Sequence, residues 1–207
     1  MQGRRNPFVA AEGIPFLLLA AFLGWLAYRY LHWYWVGIAV AAFVILVFIF
    51  RDPRRRIPAS PLGVVSPVDG RVTEVETLER GVFKAKAHRI VIRINSLGTY
   101  TARCPVEGKI NDLNSVGPQP GGSSTQALWV QTDEGDNVVL TLRGYRLGLA
   151  PKSIVRFGER LGQGARCAYL RLTRVAEVQI PTGGKVLVAP GDEVAAGRDL
   201  LARLPHP

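Results

Sequence analysis

Near its carboxyl end the chain reads Val188-Ala189-Pro190-Gly191-Asp192-Glu193-Val194-Ala195-Ala196-Gly197-Arg198-Asp199-Leu200-Leu201, a stretch that combines turn residues with spaced apolar residues. Its glycines permit tight turns, and its spaced Val and Leu side chains suit the interior of a flattened β-sandwich. Residues 64–72 show the same pattern of turn and apolar residues, and residues 157–164 repeat it more loosely. The pattern predicts a domain of short strands joined by turns.

Strand-like runs continue through residues 57–207, with turn residues between them. Residues 89–94 alternate Arg-Ile-Val-Ile-Arg-Ile, which is typical of a half-buried strand. Further strands are predicted at residues 128–131, 137–142, 168–172, 175–180 and 185–188. We therefore expect residues 57–207 to form an all-β domain that is large enough for its own core.

Two apolar runs precede this domain. Residues 14–28 carry no charge, Arg29 and His32 interrupt the pattern, and residues 33–50 resume it. The second run approaches the roughly 20 residues that a helix needs to cross a bilayer core. A cleaved signal peptide is the alternative, but it predicts a single apolar core of about 7–15 residues. We expect a retained transmembrane helical hairpin in residues 1–56, with its aromatic turn at the lipid headgroups.

Charge predicts both the orientation and the partners. Basic residues lie on both flanks of the hairpin, at Arg4, Arg5, Arg51, Arg54, Arg55 and Arg56. Both flanks should stay cytoplasmic, which predicts a two-pass protein of the bacterial inner membrane with a cytoplasmic β domain. The net charge of +10 favours membrane lipids, especially anionic phospholipid, as partners. Nucleic acid is not expected, because no recognition helix or single-strand-binding motif accompanies the charge.

Cysteine and histidine are scarce in the chain, with two of the former and three of the latter. This composition argues against a disulfide scaffold, a zinc-finger array or a multi-histidine metal site, so no metal is expected. Cys104 and Cys167 lie in core-like contexts and are predicted to be buried, inert thiols.

The Gly-Asp-x-Val-x-x-Gly-x-x-Leu pattern of residues 191–200 resembles the hammerhead turns of biotinyl and lipoyl domains. A carrier domain also needs a modifiable lysine at a hairpin tip, and the sequence shows no convincing one. The resemblance therefore implies only a hammerhead or barrel-sandwich-like architecture.

Four motifs occur in order along the chain: Phe50-Arg51-Asp52-Pro53, Ser66-Pro67-Val68-Asp69-Gly70, Arg103-Cys104-Pro105-Val106-Glu107-Gly108, and the Gly-Asp turns near the end. Behind a matching hairpin, this order resembles the short phosphatidylserine decarboxylases, including their archaetidylserine-type relatives. The resemblance covers nearly the whole chain and implies the phosphatidylserine decarboxylase fold.

The resemblance also implies a chemistry, the conversion of phosphatidylserine to phosphatidylethanolamine with a covalent pyruvoyl group. Family members make that group by cutting themselves before a serine, with the help of an aspartate and a histidine. The aspartate falls on Asp69, which is present, and the histidine position holds Tyr100. The serine position holds Arg174 without a gap, or Thr173 after a shift of one residue.

Two of the three positions thus depart from the family pattern. Tyrosine, with a pKa of about 10, is a poor base at neutral pH. Self-processing at Thr173 would not yield pyruvoyl. We therefore expect no cofactor in this protein, and a pyruvoyl group would be present only if the chain nevertheless processes itself. Ser123 and Ser124 resemble the cleavage motif of longer decarboxylases, but they lie mid-chain in a predicted surface loop.

Arginines near these positions predict an anionic headgroup site. Arg103, Arg171 and Arg174 would suit a phosphate or a carboxylate. The alternative is that they are solvated strand residues.

Three functions follow from the sequence. The main prediction is a non-catalytic, membrane-anchored relative that acts as an accessory or assembly subunit, or as a lipid-binding module, with other membrane-complex subunits as partners. One alternative is an active pyruvoyl-type decarboxylase that makes phosphatidylethanolamine. The other is a biotinyl- or lipoyl-like adaptor of a membrane transporter.

Overall fold

The computed structural model describes residues 8–58, 60, 62–82, 85–113, 126–145 and 149–205. The chain divides into two compact units, Met1–Arg54 and Arg55–Pro207. Arg4, Arg5, Ser123 and Ser124 lie outside the described residues, so the surface loop predicted around the two serines is not tested.

The first unit contains two apolar α-helices, α1 (Ile14–Tyr30) and α2 (Trp33–Ile49). Pro15 lies in the first turn of α1, where its missing N–H costs nothing, and Arg29 lies in the last turn, where a cation suits the helix dipole. The backbone is extended at Leu31 and His32, and this break separates the helices.

The predicted hairpin is confirmed only in part. Together with a preceding 3-10 turn, α1 forms a 20-residue apolar segment, Ala11–Tyr30, that is long enough to cross a membrane. The other apolar helix, Trp33–Ile49, has 17 residues and falls below that length. Within the described residues, one helix therefore has membrane length, where the sequence predicted two.

The second unit is built from short strands. Their bounds are β1 (Gly63–Val65), β2 (Gly70–Leu78), β3 (Ala87–Ile94), β4 (Thr101–Arg103), β5 (Gly108–Asp112), β6 (Gln126–Gln131), β7 (Asn137–Arg143), β8 (Lys152–Ser153), β9 (Arg160–Leu161), β10 (Arg166–Tyr169), β11 (Val175–Pro181), β12 (Lys185–Val186), β13 (Glu193–Val194) and β14 (Leu200–Arg203). The expected β-rich domain is confirmed.

The described strands form three antiparallel sheets. The largest has the order β13-β2-β3-β11-β7-β6-β5-β9, and the smaller two are β1-β14-β12 and β4-β10-β8. Apolar side chains of the strands form one buried core, which includes Ile90, Ile92, Ile110, Leu140, Ile180 and Leu201. The alternation in β3 places Ile90 and Ile92 in this core.

The strand predicted at residues 168–172 is wrong in its second half. β10 ends at Tyr169, and Arg171 has a φ of 51°, the one positive φ of a non-glycine residue in the described part of the chain. This conformation takes the backbone out of the extended region, so that residues 170–174 form a turn before β11.

The domain contains two halves with the same local structure. Residues 64–72 and 191–197 form one half, and residues 102–110 and 158–164 form the other. The matching backbone bonds are Gly197 N–Ser66 O at 2.7 Å, and Gly164 N–Cys104 O, Gly191 N–Val72 O and Gly158 N–Ile110 O at 2.8 Å each. All four glycines have positive φ, between 69° and 105°, which explains why glycine recurs in both copies.

Candidate functional site

The Asp69 carboxylate connects four segments of the β domain. Its Oδ1 accepts hydrogen bonds from Ala196 N at 2.7 Å and from Arg55 Nη1. Its Oδ2 accepts from Thr99 N at 2.9 Å and from Arg55 Nη2 at 2.8 Å. The backbone carbonyl of Asp69 also accepts from Asn95 N at 2.8 Å.

These bonds set the charge state of Asp69. Burial alone raises the pKa of this carboxyl group, but the hydrogen bonds from Arg55, Ala196 and Thr99, with the Arg55 charge, outweigh burial. The net result is a pKa below the ordinary value of 3.8, so the group is ionised at neutral pH. Because each oxygen accepts two hydrogen bonds, the carboxylate is arranged to hold these segments together rather than to accept a proton.

Tyr100 follows Thr99 directly and lies beside Tyr169 of β10. The two ring centroids are 5.8 Å apart, with 42° between the ring planes. The Tyr100 carbonyl accepts from Leu170 N at 2.9 Å. The tyrosine position is thereby tied to the turn that follows β10.

That turn carries the other two predicted catalytic positions. Thr173 N donates to Leu170 O at 3.0 Å, and the carbonyl of Arg174 accepts from Ile94 N at 2.7 Å. Thr173 is 6% exposed, whereas Arg174 is exposed. The Thr173 Oγ1 is buried and makes no hydrogen bond within the described part of the chain.

The fold thus brings the predicted positions to one place, the carboxyl end of β3. Ile94 is bonded to Arg174 and the next residue, Asn95, is bonded to Asp69. Since Thr99 is also bonded to Asp69, Tyr100 is held at the same end of the strand. We define the β3-end site as Asp69, Thr99, Tyr100, Thr173 and Arg174.

Comparison of the two halves of the domain shows that this site exists in only one of them. Pro67-Val68-Asp69-Gly70 corresponds to Pro105-Val106-Glu107-Gly108. The Asp69 side chain is 12% exposed and paired with Arg55, whereas the Glu107 side chain is 58% exposed and lies 3.6 Å from Arg160. The two equivalent acidic residues therefore differ in burial and in their basic partner.

Arg55 and Thr99 were not among the residues expected at this site. The sequence analysis interpreted Arg55 as part of the basic flank of the hairpin, yet its guanidinium binds Asp69 through both terminal nitrogens. No local pattern marks this pairing. A usable signal was the repeat of Pro-Val-acid-Gly-basic at residues 67–71 and 105–109, which would have shown Asp69 as one of two equivalent acids.

The three predicted headgroup arginines differ in their exposure and in their place in the fold. Arg103 is 5% exposed, and its Nη1 donates to Gly164 O at 3.3 Å. Arg171 Nη1 donates to Ala150 O at 3.2 Å, and Arg174 is exposed. Arg171 and Arg174 share the turn after β10, whereas Arg103 lies in the interior, and the headgroup site stays a prediction.

Both cysteines are buried free thiols. Burial raises the pKa of Cys104 to about 12 and raises that of Cys167 well above its ordinary value. Neither is suited to act as a nucleophile at neutral pH. Within the described ranges, no group of three or more His, Cys, Asp and Glu side chains is placed to hold a metal ion.

Comparison with known proteins identifies the family. The family profile described as phosphatidylserine decarboxylase matches residues 42–202. The phosphatidylserine decarboxylase proenzyme of Nitrosomonas eutropha is 32% identical over 210 residues, which cover 95% of this chain and 95% of the relative. That of Burkholderia ambifaria is 30% identical over 214 residues, 96% of this chain and 97% of the relative. No solved structure matches significantly.

The chain therefore belongs to the phosphatidylserine decarboxylase family. The comparisons contradict the prediction of a non-catalytic accessory subunit, because the relatives that match along 95–96% of this chain are phosphatidylserine decarboxylase proenzymes. A loss of the catalytic residues is not shown, and the assignments of Asp69, Tyr100, Thr173 and Arg174 stay predictions.

Proposed function

We propose that this protein is a membrane-associated decarboxylase that acts on phosphatidylserine and leaves phosphatidylethanolamine. The observation that carries the proposal is the meeting of the family positions at the carboxyl end of β3, in a chain that matches decarboxylase proenzymes along 95% of its length. Decarboxylation of an amino acid needs an electron sink, since carbon dioxide leaves its bonding electrons behind.

The pyruvoyl group that the family implies does not fit the residues present here. Pyruvoyl has the carbon skeleton of serine, and the position holds Arg174, or Thr173 after a shift of one residue. Neither side chain has that skeleton. We therefore derive no step through a pyruvoyl group in this protein.

Side chains of this protein hold the segments of the β3-end site in place and supply its charge. Asp69 holds the backbone of Thr99 and Ala196 and orients Arg55. Arg171 and Arg174, on the turn after β10, supply positive charge that suits the phosphate or carboxylate of the serine headgroup. Tyr100 and Tyr169 form an aromatic pair beside this turn.

The proposal includes a location in the bacterial inner membrane, with the β domain in the cytoplasm. The basic residues on both sides of the helices support it, as does the 20-residue apolar segment Ala11–Tyr30. A two-pass arrangement requires α2 to span, and its 17 residues lie at the short end of the range of about 17–25. A reporter inserted at Leu31 should be periplasmic if both helices cross. A cytoplasmic reporter there would contradict the two-pass arrangement, because with a cytoplasmic β domain it requires that α2 does not cross.

The activity is tested with the full chain purified in mild detergent and mixed with vesicles that contain phosphatidylserine. Mass spectrometry should show phosphatidylethanolamine appearing as carbon dioxide is released. Vesicles of phosphatidylcholine alone are the blank. Unchanged phosphatidylserine with a folded protein would refute the proposed activity.

The two halves of the domain offer a matched pair of variants for this assay. Asp69→Asn removes the charged acceptor at the β3-end site, and Glu107→Gln makes the same change at the equivalent, exposed position of the other half. We expect a loss of activity of at least about 100-fold for Asp69→Asn and a change of less than about twofold for Glu107→Gln.

A further inference from the structure

The turn after β10 contains a buried hydroxyl group that the packing does not use. Thr173 is 6% exposed, and its Oγ1 makes no hydrogen bond within the described part of the chain. Buried polar atoms are nearly always bonded, and an exception in a native structure calls for an explanation.

The backbone around this hydroxyl is held at both ends. Leu170 N is bonded to Tyr100 O at 2.9 Å, and Arg174 O is bonded to Ile94 N at 2.7 Å. Between these two anchors, Arg171 has a φ of 51°, which L-residues adopt at a cost. The Leu172–Thr173 peptide bond thus lies in a short segment fixed on both sides. The anchors Tyr100 and Ile94 directly adjoin Thr99 and Asn95 in the chain, and these two residues donate to Asp69.

We infer that Thr173 is the self-processing residue of this protein and that the ketone it forms is a 2-oxobutanoyl group instead of pyruvoyl. The inference rests on the proposed function, which supplies the need for a ketone. Arg174 has no hydroxyl group, so it cannot start such a reaction, whereas Thr173 has a buried one.

The reaction balances with one molecule of water and needs no oxidant. Thr173 Oγ1 attacks the carbonyl carbon of Leu172; the C–N bond breaks, an ester forms, and the hydroxyl proton ends on the nitrogen. A water molecule then takes the Thr173 α-proton, the electron pair forms a Cα–Cβ double bond, and the Cβ–Oγ1 bond breaks, which releases Leu172 as a carboxylate. The resulting enamine rearranges to an imine, and water hydrolyses it to the ketone and ammonia.

The products are a fragment of residues 1–172 and a fragment of residues 173–207 with a keto cap. This cap is one methylene larger than pyruvoyl, because threonine carries a methyl group on Cβ where serine carries hydrogen.

Intact-mass measurement of the full chain, purified from membranes in mild detergent, tests the inference. We expect both fragments, with the second one labelled by a hydrazide probe for carbonyls. Thr173→Ser should cleave at the same bond and give a cap one methylene lighter. Thr173→Val, which keeps the shape but lacks the hydroxyl, should stay a single chain.

Thr141→Val is the matched control, since Thr141 Oγ1 is also buried without a hydrogen bond in the described residues but lies on β7. It should cleave like the wild type. Thr173→Val should unfold at or above the wild-type temperature, which separates lost chemistry from lost folding.

Several results would overturn the inference: an uncut wild-type chain, a cut at another bond such as that before Ser123, or cleavage of Thr173→Val. If the uncut protein still decarboxylates phosphatidylserine, the inference fails and the proposed function stands. If the chain is cut before Thr173 and phosphatidylserine stays unchanged, the inference stands and the proposed function fails.

Discussion

Arg55 binds both carboxylate oxygens of Asp69, and this ion pair links the first residue of the β domain's compact unit to the β3-end site. The side chains are 22% and 12% exposed, so water screens the pair only in part. Two parallel bonds from a planar guanidinium fix the direction of the carboxylate as well as its charge.

Arg55→Lys should destabilise the protein although it conserves the charge, because an ammonium group cannot make both bonds. We expect the free energy of unfolding to fall by about 1–3 kcal/mol, as for lost hydrogen bonds to charged groups. Chemical denaturation of the full chain in detergent measures this change. The exposed neighbour gives the control, Arg56→Lys, which should change stability by less than about 0.5 kcal/mol.

The stability that Asp69 supplies should be lost in acid. Its folded pKa is below 3.8, so the ionised group stabilises the fold above its unfolded pKa, and this contribution disappears as the pH falls through the folded pKa. The wild type should melt above Asp69→Asn at neutral pH, and the difference should shrink in acid below about pH 3.8. A difference that stays constant with pH would contradict this account. Glu107→Gln serves as the exposed comparison.

The two halves of the domain predict a tolerated change at Cys104. Its thiol donates to Val106 O at 3.1 Å, and the equivalent Ser66 hydroxyl donates to Val68 O at 2.7 Å. Cys104→Ser should therefore fold and lose less than about 1 kcal/mol of stability, measured by denaturant unfolding.

Cys167 gives the contrast, because its equivalent position in the strand register holds the apolar Leu201. Cys167→Ser places a hydroxyl in a fully buried site and should cost about 1–3 kcal/mol. Equal losses for the two variants would argue against the equivalence of the halves.

Two equivalent glycines should tolerate no side chain. A Cβ on Gly70 would lie 2.1 Å from Arg93 O, and one on Gly108 would lie 2.1 Å from Gln131 O. In each case the obstacle is backbone of the neighbouring strand, so Gly70→Ala and Gly108→Ala should each cost more than about 3 kcal/mol or prevent folding. Protease resistance of the full chain reports the loss. Gly162→Ala, with nothing within 4 Å of the added Cβ, should stay resistant.

The sequence predicted both apolar helices, the turn glycines, and strands β3, β6, β7, β11 and β12 among the fourteen described. Apolar periodicity and glycine positions are properties of short segments, so they predict secondary structure without knowledge of distant contacts. The alternation of Arg89–Ile94, which lies within β3, is an example. The order of motifs also determined the family. Helix length depends on where the backbone breaks at Leu31 and His32, and here one membrane-length helix formed where two were predicted.

The hydrogen-bond partners at the β3-end site could not be predicted from the sequence. Asp69 is bound by residues 14, 30 and 127 positions away in the chain, and no local pattern encodes such partners. Arg171, with its positive φ, likewise lies between two residues that bond to distant partners, Leu170 to Tyr100 and Arg174 to Ile94. Side-chain hydrogen bonds and backbone strain of this kind exist only after distant segments pack, because packing provides the partners that compensate their cost.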